Sequence, residues 1–294
     1  MSGKSHPNVD FWCILTHFYD AFFITHFMTH PKVYIIGAGP GDPDLLTVKA
    51  ARLLACADLV LYTDSLVPRE ILQGVPTRAK IIPAADKNLD ELLQILVSAA
   101  RSHRTVIRLH DGDPSLYGAI QEQMQGLLEA GIDFEIIPGI SAYQLAAAKL
   151  RVELTRPKTL QTIILTRISG RTEVPDAQDL ATLAATRSSL CLYLSAQHLG
   201  RAQAKLLQHY PPETPVAICF HLGWPDERIL LTPLQSLAET NAREGLVRST
   251  LYVISPALTA STVPQEYDYD GRKIAIPDEA SHLYDRAHTR WLKP

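Results

Sequence analysis

Val33-Tyr34-Ile35-Ile36-Gly37-Ala38-Gly39-Pro40-Gly41-Asp42-Pro43 is the stretch from which the rest of the chain can be read. Four apolar, strand-favouring residues run into a turn whose three glycines permit close backbone approach. Asp42 is suited to capping a helix and Pro43 to its first position, where a missing N–H costs nothing. Leu45, Leu46, Val48, Ala51, Leu53 and Leu54 follow at helical spacing and predict a helix over 44–55. Strand, glycine turn and helix make the opening unit of a parallel α/β sheet.

Such a turn invites a dinucleotide. Gly37, Gly39 and Gly41 match the start of the G-x-G fingerprint, and Asp64 stands near the distance of a ribose-binding acid. Against this, Asp42 would set a negative charge against a pyrophosphate, and Pro40 and Pro43 remove donors that a phosphate would use. An NAD(P)-dependent oxidoreductase therefore stands as the rival reading.

The 294 residues are 46% hydrophobic and 20% charged, enough chain for two domains with a core each. A net charge of −3 gives no reason to expect nucleic acid or an anionic membrane as partner. Cys13, Cys56, Cys191 and Cys219 are scattered without metal-ligand spacing, the pattern of free buried thiols in a reducing, cytoplasmic compartment. Residues 1–30 carry apolar runs that His17, Asp20 and His26 interrupt. Neither run is long enough to span a membrane, and no secretory pattern is present. They read as an extension outside the folded core.

From Lys32 the chain alternates strand and helix. Strands are expected at 33–36, 58–62, 79–82, 105–109 and 134–137, with helices at 44–55, 67–73, 89–102, 116–130 and 141–149. Two further strand ends share the design of the first. His110-Asp111-Gly112-Asp113-Pro114 repeats the cap-and-proline start, and Pro138-Gly139-Ile140-Ser141-Ala142 places Ser141 as a cap. Loops at the carboxyl ends of parallel strands share one edge of the sheet, where open α/β folds bind ligands. Three special turns at one edge suggest a site. After an interdomain linker at Leu154–Lys158, strands are expected near 161–166, 189–194, 215–220, 228–232 and 250–254. The gap between 220 and 228 is too short for a helical crossover, so that pair is antiparallel and the second sheet mixed. The expected organisation is thus an α/β domain over 31–155 with a mainly parallel sheet, an α/β domain over 156–262 with a mixed sheet, and a tail over 263–294.

Taken in order, Gly37-Ala38-Gly39-Pro40-Gly41-Asp42-Pro43, Asp111-Gly112-Asp113-Pro114 and Pro138-Gly139-Ile140-Ser141-Ala142 resemble the tetrapyrrole (corrin/porphyrin) methyltransferases. The run from Leu165 to Pro175, Trp224-Pro225-Asp226-Glu227-Arg228-Ile229 and the stretch Leu283–Thr289 are similar to the precorrin-4 branch, which methylates carbon 11. The resemblance implies S-adenosylmethionine as methyl donor, held in an interdomain active-site cleft, and a homodimer. Carried over by position, donor contacts would be Pro40, Asp111, Gly112, Asp113, Leu116, Ser141, Ala142, Leu194, Leu222 and Pro256. Leu194 and Leu222 would flank the adenine.

Methyl transfer from a sulfonium to carbon is an in-line displacement that needs alignment and exclusion of water, so neither a triad nor a metal is expected. His110 is the one candidate base, set against a purely structural histidine. The implied acceptor, a macrocycle bearing many carboxylates, calls for arginines, and Arg108, Arg156, Arg167 and Arg171 are the candidates. Arg167 could instead pair with Glu173 and order its loop. Besides the oxidoreductase, a sibling methyltransferase working at another ring carbon and a non-catalytic corrinoid carrier are the competing readings.

Overall fold

The computed structural model describes residues 32–258, His103 and Arg171 excepted. The expected segments 1–30 and 263–294, Cys13 and Arg171 therefore lie outside the described residues.

The first five strands are β1 (Lys32–Gly37), β2 (Leu59–Tyr62), β3 (Lys80–Pro83), β4 (Val106–His110) and β5 (Asp133–Ile137). They form an all-parallel sheet in the order β3-β2-β4-β1-β5. Strand β1 is apolar without alternation because both its faces are covered. Tyr34 and Ile36 pack under α1 (Val48–Ala55), against Leu53 and Leu54. Val33 and Ile35 face the other way, toward α2 (Leu89–Arg101) and α3 (Gln121–Glu129). The helices that follow the adjacent strands β1 and β4 thus cover opposite faces. Both strands nevertheless end at one edge of the sheet, the edge where open α/β sheets take ligands.

Helix α4 (Ala142–Lys149) follows β5 but buries Leu145 and Ala146 against the second sheet, joining the two halves through a shared apolar layer. That second sheet is built from β6 (Ile163–Arg167), β7 (Ser189–Tyr193), β8 (Pro215–Phe220), β9 (Arg228–Pro233) and β10 (Thr250–Ile254). Its order is β6-β7-β10-β8-β9, with β6 and β7 parallel and the other pairs antiparallel. Helices α5 (Leu180–Ala184), α6 (Leu199–Leu206) and α7 (Leu237–Glu244) cover its far face around Tyr210 and Tyr252. No helix among the described residues is long and apolar enough to cross a membrane.

Two helix starts differ from expectation. Asp42 caps only a short 3-10 turn, Pro43–Leu45, by accepting from Asp44 N–H at 2.9 Å. Thr47 then caps α1, accepting from Ala50 N–H at 3.2 Å. The helix expected at 116 begins only at Gln121, because Tyr117 and Ala119 adopt left-handed φ angles of 59° and 48°. Of the cysteines, Cys191 and Cys219 are buried free thiols, but Cys56 is exposed, one residue past the end of α1. Burial pushes the Cys191 thiol up to about 12, which leaves it unreactive.

Candidate active-site cleft

Three glycines put the ends of β1, β4 and β5 in backbone contact. A Cβ on Gly37 would lie 2.5 Å from Gly112 O and 2.6 Å from Gly139 N. One on Gly139 would lie 2.1 Å from Gly112 O. No side chain fits between these loops. Gly39 and Gly112 form a two-way bridge, with N–H···O distances of 3.2 and 2.8 Å. Both have left-handed φ, 74° and 54°, so the bridge needs glycine at each end. Asp113 ties the third loop in: Oδ1 accepts from Ser115 N–H at 2.9 Å and Oδ2 from Gly139 N–H at 2.9 Å. Asp113 therefore caps a turn and bridges two loops; it does not start a helix.

The second half closes on this edge. Gly41, with φ 151°, lies so near Trp224 that a Cβ would sit 2.5 Å from the indole Cδ1 and 3.0 Å from Leu222 O. Glu227 accepts from Gly223 N–H at 2.8 Å and pairs with Lys149 of α4 at 2.9 Å. His221 stacks between Phe220 and Trp224, centroids 3.7 and 4.7 Å away, and its Nδ1 meets Asp226 at 2.9 Å. The stretch 221–227 is thus a latch that holds the Pro40–Asp42 turn. From β7, the Tyr193 hydroxyl accepts from Tyr143 N–H at 3.1 Å and meets Ser141 Oγ at 3.0 Å. Leu194 follows it, 67% exposed and left-handed at φ 51°.

This geometry gathers Pro40, Asp111, Gly112, Asp113, Ser141 and Ala142 at one edge, with Leu116 on the same loop and Leu194 and Leu222 bordering it. Two donor-site expectations change. The Leu222 side chain is buried in the apolar layer under α4, so only its backbone reaches the cleft. Pro256 follows β10, which runs opposite to β7. Ile254 pairs with Leu190, which sets Pro256 at the far edge, roughly 15–20 Å of strand from Leu194.

The arginines change more. Arg108 is 5% exposed and turned into the first half, its guanidinium donating to Gln123 Oε1 and to the carbonyls of Leu61 and Leu109. Alternation along β4 puts 106, 108 and 110 on the face covered by α2 and α3, so Arg108 cannot meet a ligand carboxylate. Burial pushes its pKa down to about 10, opposed by Asp111. Arg156 forms a turn with Leu160 at the linker, at the far edge from Arg167, because Leu154 O accepts from Ser189 Oγ at the start of β7. Arg167 does reach the cleft edge, but it donates to the carbonyls of Thr172 at 2.9 Å and Glu173 at 3.2 Å. It orders the loop through backbone oxygens, not through the Glu173 carboxylate. Arg167→Met is therefore expected to lower stability by about 1–3 kcal/mol with S-adenosylhomocysteine affinity little changed. Calorimetry on melting and on binding checks both.

His110 is 3% exposed, and its Nε2 has no hydrogen-bond partner among the described residues. Burial and then Arg108 push its pKa from 6.5 down to about 3, so it stays neutral and serves structure rather than proton transfer. Above pH 6.5 the imidazole is neutral folded or unfolded. Between 6.5 and about 3 the unfolded chain takes up a proton that the native state refuses, so stability falls as pH falls, and the loss levels off below that window. Denaturant melts at stepped pH are expected to show this slope in wild type and lose it in His110→Gln. Asp111 keeps solvent access, yet the protein around it desolvates the carboxyl and raises its pKa against the pull of its backbone N–H and Arg108.

A glycine-bridged edge at the ends of parallel strands, met by a latch from a second sheet, marks an α/β enzyme with its candidate site at that edge. The chain belongs to the tetrapyrrole (corrin/porphyrin) methylases, whose family profile matches residues 32–238. It is 38% identical over 261 residues to the cobalt-precorrin-4 C(11)-methyltransferase of Methanocaldococcus jannaschii, covering 88% of this chain and 98% of that one. The precorrin-4 C(11)-methyltransferase of Pseudomonas aeruginosa is 41% identical over 228 residues, 78% of this chain and 91% of that one. A solved cobalt-precorrin-4 methyltransferase superposes with a TM-score of 0.76 at 39% identity, covering 78% of this chain and 96% of that structure. A uroporphyrin-III C-methyltransferase from Thermus thermophilus, complexed with S-adenosylhomocysteine, matches at TM-score 0.65 and 28% identity, covering 77% of this chain and 92% of that one.

Tyr117, Tyr193 and the His221–Asp226 pair were not among the expected site residues. Of these, Asp226 lies in the Trp224–Ile229 motif and Tyr117 just after the Asp111–Pro114 turn, so the sequence marked both segments without giving either side chain a role.

Proposed function

We propose that this chain transfers the methyl group of S-adenosylmethionine to carbon 11 of precorrin-4, with or without cobalt, during corrin-ring synthesis. The observation that carries the reading is the glycine-bridged edge at the ends of β1, β4 and β5, in a chain whose relatives bear that activity in their names. S-adenosylmethionine supplies an electrophilic methyl on a sulfonium.

The residues at the edge suit such a donor. Asp111 offers a carboxylate to a cation. Gly112, its N–H and C=O bound to Gly39, leaves free space at its Cα, since a Cβ there would meet only Ser141 Cα, at 4.0 Å. Leu194 offers an exposed apolar face to a flat base. Pro40, Leu116, Ser141, Ala142 and the Leu222 backbone complete the proposed contacts, while Asp113 shapes the loops around them. The latch at 221–227 packs on Gly41 of the turn, and a site fixed in this way serves to align the reaction more than to activate it. We further read the chain as two domains meeting near residue 155, a homodimer, and cytoplasmic.

Incubation with carbon-13-labelled donor and precorrin-4, followed by carbon NMR of the product, tests the reading. A new methyl at carbon 11 is expected. A methyl at another ring carbon would move the chain to a sibling activity, and NADPH binding without S-adenosylhomocysteine binding would restore the oxidoreductase.

A further inference from the structure

The loop from Asp111 to Ile120 is costly to fold as it does. Within eight residues, Gly112, Tyr117 and Ala119 have φ of 54°, 59° and 48°, and the latter two carry side chains that disfavour that region. The loop also doubles back so tightly that a Cβ on Gly118 would lie 2.4 Å from Pro114 O. What this strained path achieves is the presentation of one aromatic ring. Tyr117 is 41% exposed among the described residues, although tyrosine readily buries.

One side of that ring is braced. Its centroid lies 5.6 Å from that of Tyr193, tilted by 50°. Tyr193 is itself fixed by its hydroxyl on Ser141 and Tyr143 N–H. The Arg167 Cα pairs with that of Tyr193 across β6 and β7, so a guanidinium locked onto carbonyls stands beside the pair. Burial raises the Tyr117 hydroxyl pKa and Arg167 lowers it, so the guanidinium lies within electrostatic reach of the hydroxyl. Tyr117 itself remains exposed. It lies on the same loop as Asp111, a few residues from the proposed donor contacts.

We propose that Tyr117 is an acceptor-contact residue, its braced ring a shelf for the face of the tetrapyrrole. The ring contributes flat stacking area, and the fixed Arg167 charge beside it suits a ligand rimmed with carboxylates. This assignment rests on the methyltransferase reading and adds to it where the macrocycle lies.

The test uses the full chain with Tyr117→Asn, which tolerates the left-handed backbone but lacks the ring, and Tyr117→Phe, which keeps the ring. Affinity for uroporphyrin III is read by quenching of the porphyrin's fluorescence, affinity for S-adenosylhomocysteine by calorimetry, and folding by melting. The asparagine variant is expected to lose roughly five- to thirty-fold in porphyrin affinity, the range of a stacked aromatic contact, with donor-analogue affinity and melting temperature kept. Phenylalanine should retain wild-type affinity. Unchanged porphyrin affinity in Tyr117→Asn overturns the shelf, and so does an equal loss in Tyr117→Phe, which would assign the contact to the hydroxyl. Methyl transfer by wild type, run in parallel, separates the two levels: transfer with an unchanged acceptor KM in Tyr117→Asn removes Tyr117 alone, whereas no transfer to any macrocycle removes the function it rests on.

Discussion

Gly139→Ala is expected to give a protein that binds no S-adenosylhomocysteine and melts well below wild type. The added Cβ would sit 2.1 Å from Gly112 O and 2.8 Å from Gly37 Cα, both backbone atoms held by strands in register. A flexible side chain could swing away; these atoms cannot move without breaking the β1–β4–β5 edge. Overpacking in a tight core costs about 1–3 kcal/mol and occasionally more, and a double backbone clash belongs at the upper end. Gly200→Ala is the control. Nothing lies within 4 Å of its Cβ position, it stands in α6, and removing glycine there should stabilise by about 0.5–1 kcal/mol. Thermal melts and donor-analogue calorimetry on both variants check the pair. Wild-type binding by Gly139→Ala would mean that the edge can open without losing its ligand.

The Asp113 variants should come next in size. Both carboxylate oxygens of Asp113 accept from backbone N–H groups, one on its own loop and one on Gly139. Asp113→Ala loses both bonds and leaves two donors unpaired, roughly 2–4 kcal/mol for charge-assisted bonds in a half-buried place. Asparagine would satisfy a simple cap. Here its amide can turn an oxygen toward only one of the two donors and must face an NH2 group at the other. Asp113→Asn should therefore fall much nearer to alanine than to wild type, in stability and in S-adenosylhomocysteine affinity. An asparagine variant that behaves as wild type would reduce Asp113 to a turn cap with no part in joining the loops.

Those two expectations show where reading the chain as a string succeeds. The ten strands lie where apolar runs and turn residues place them, because each signal spans a few residues and both faces of β1, β2 and β4 need covering. The antiparallel turn between β8 and β9 follows from loop length alone. The three glycine motifs mark the ligand edge, since parallel strands put their carboxyl ends together whatever their order.

Contacts between distant segments are a different matter. That Arg108 turns inward depends on strand parity together with Gln123 waiting on α3. Pro256 is displaced to the far edge only because β10 inserts antiparallel between β7 and β8. Arg167 spends its donors on carbonyls that the following loop brings back to it, and Tyr117 becomes a shelf only once Tyr193, more than seventy residues later, stands behind it. Local propensity and periodicity determined the elements and the edge of this protein. Which side chains remain free at that edge was decided by tertiary packing, because a donor or a ring face is available to a ligand only where no distant part of the chain has already claimed it.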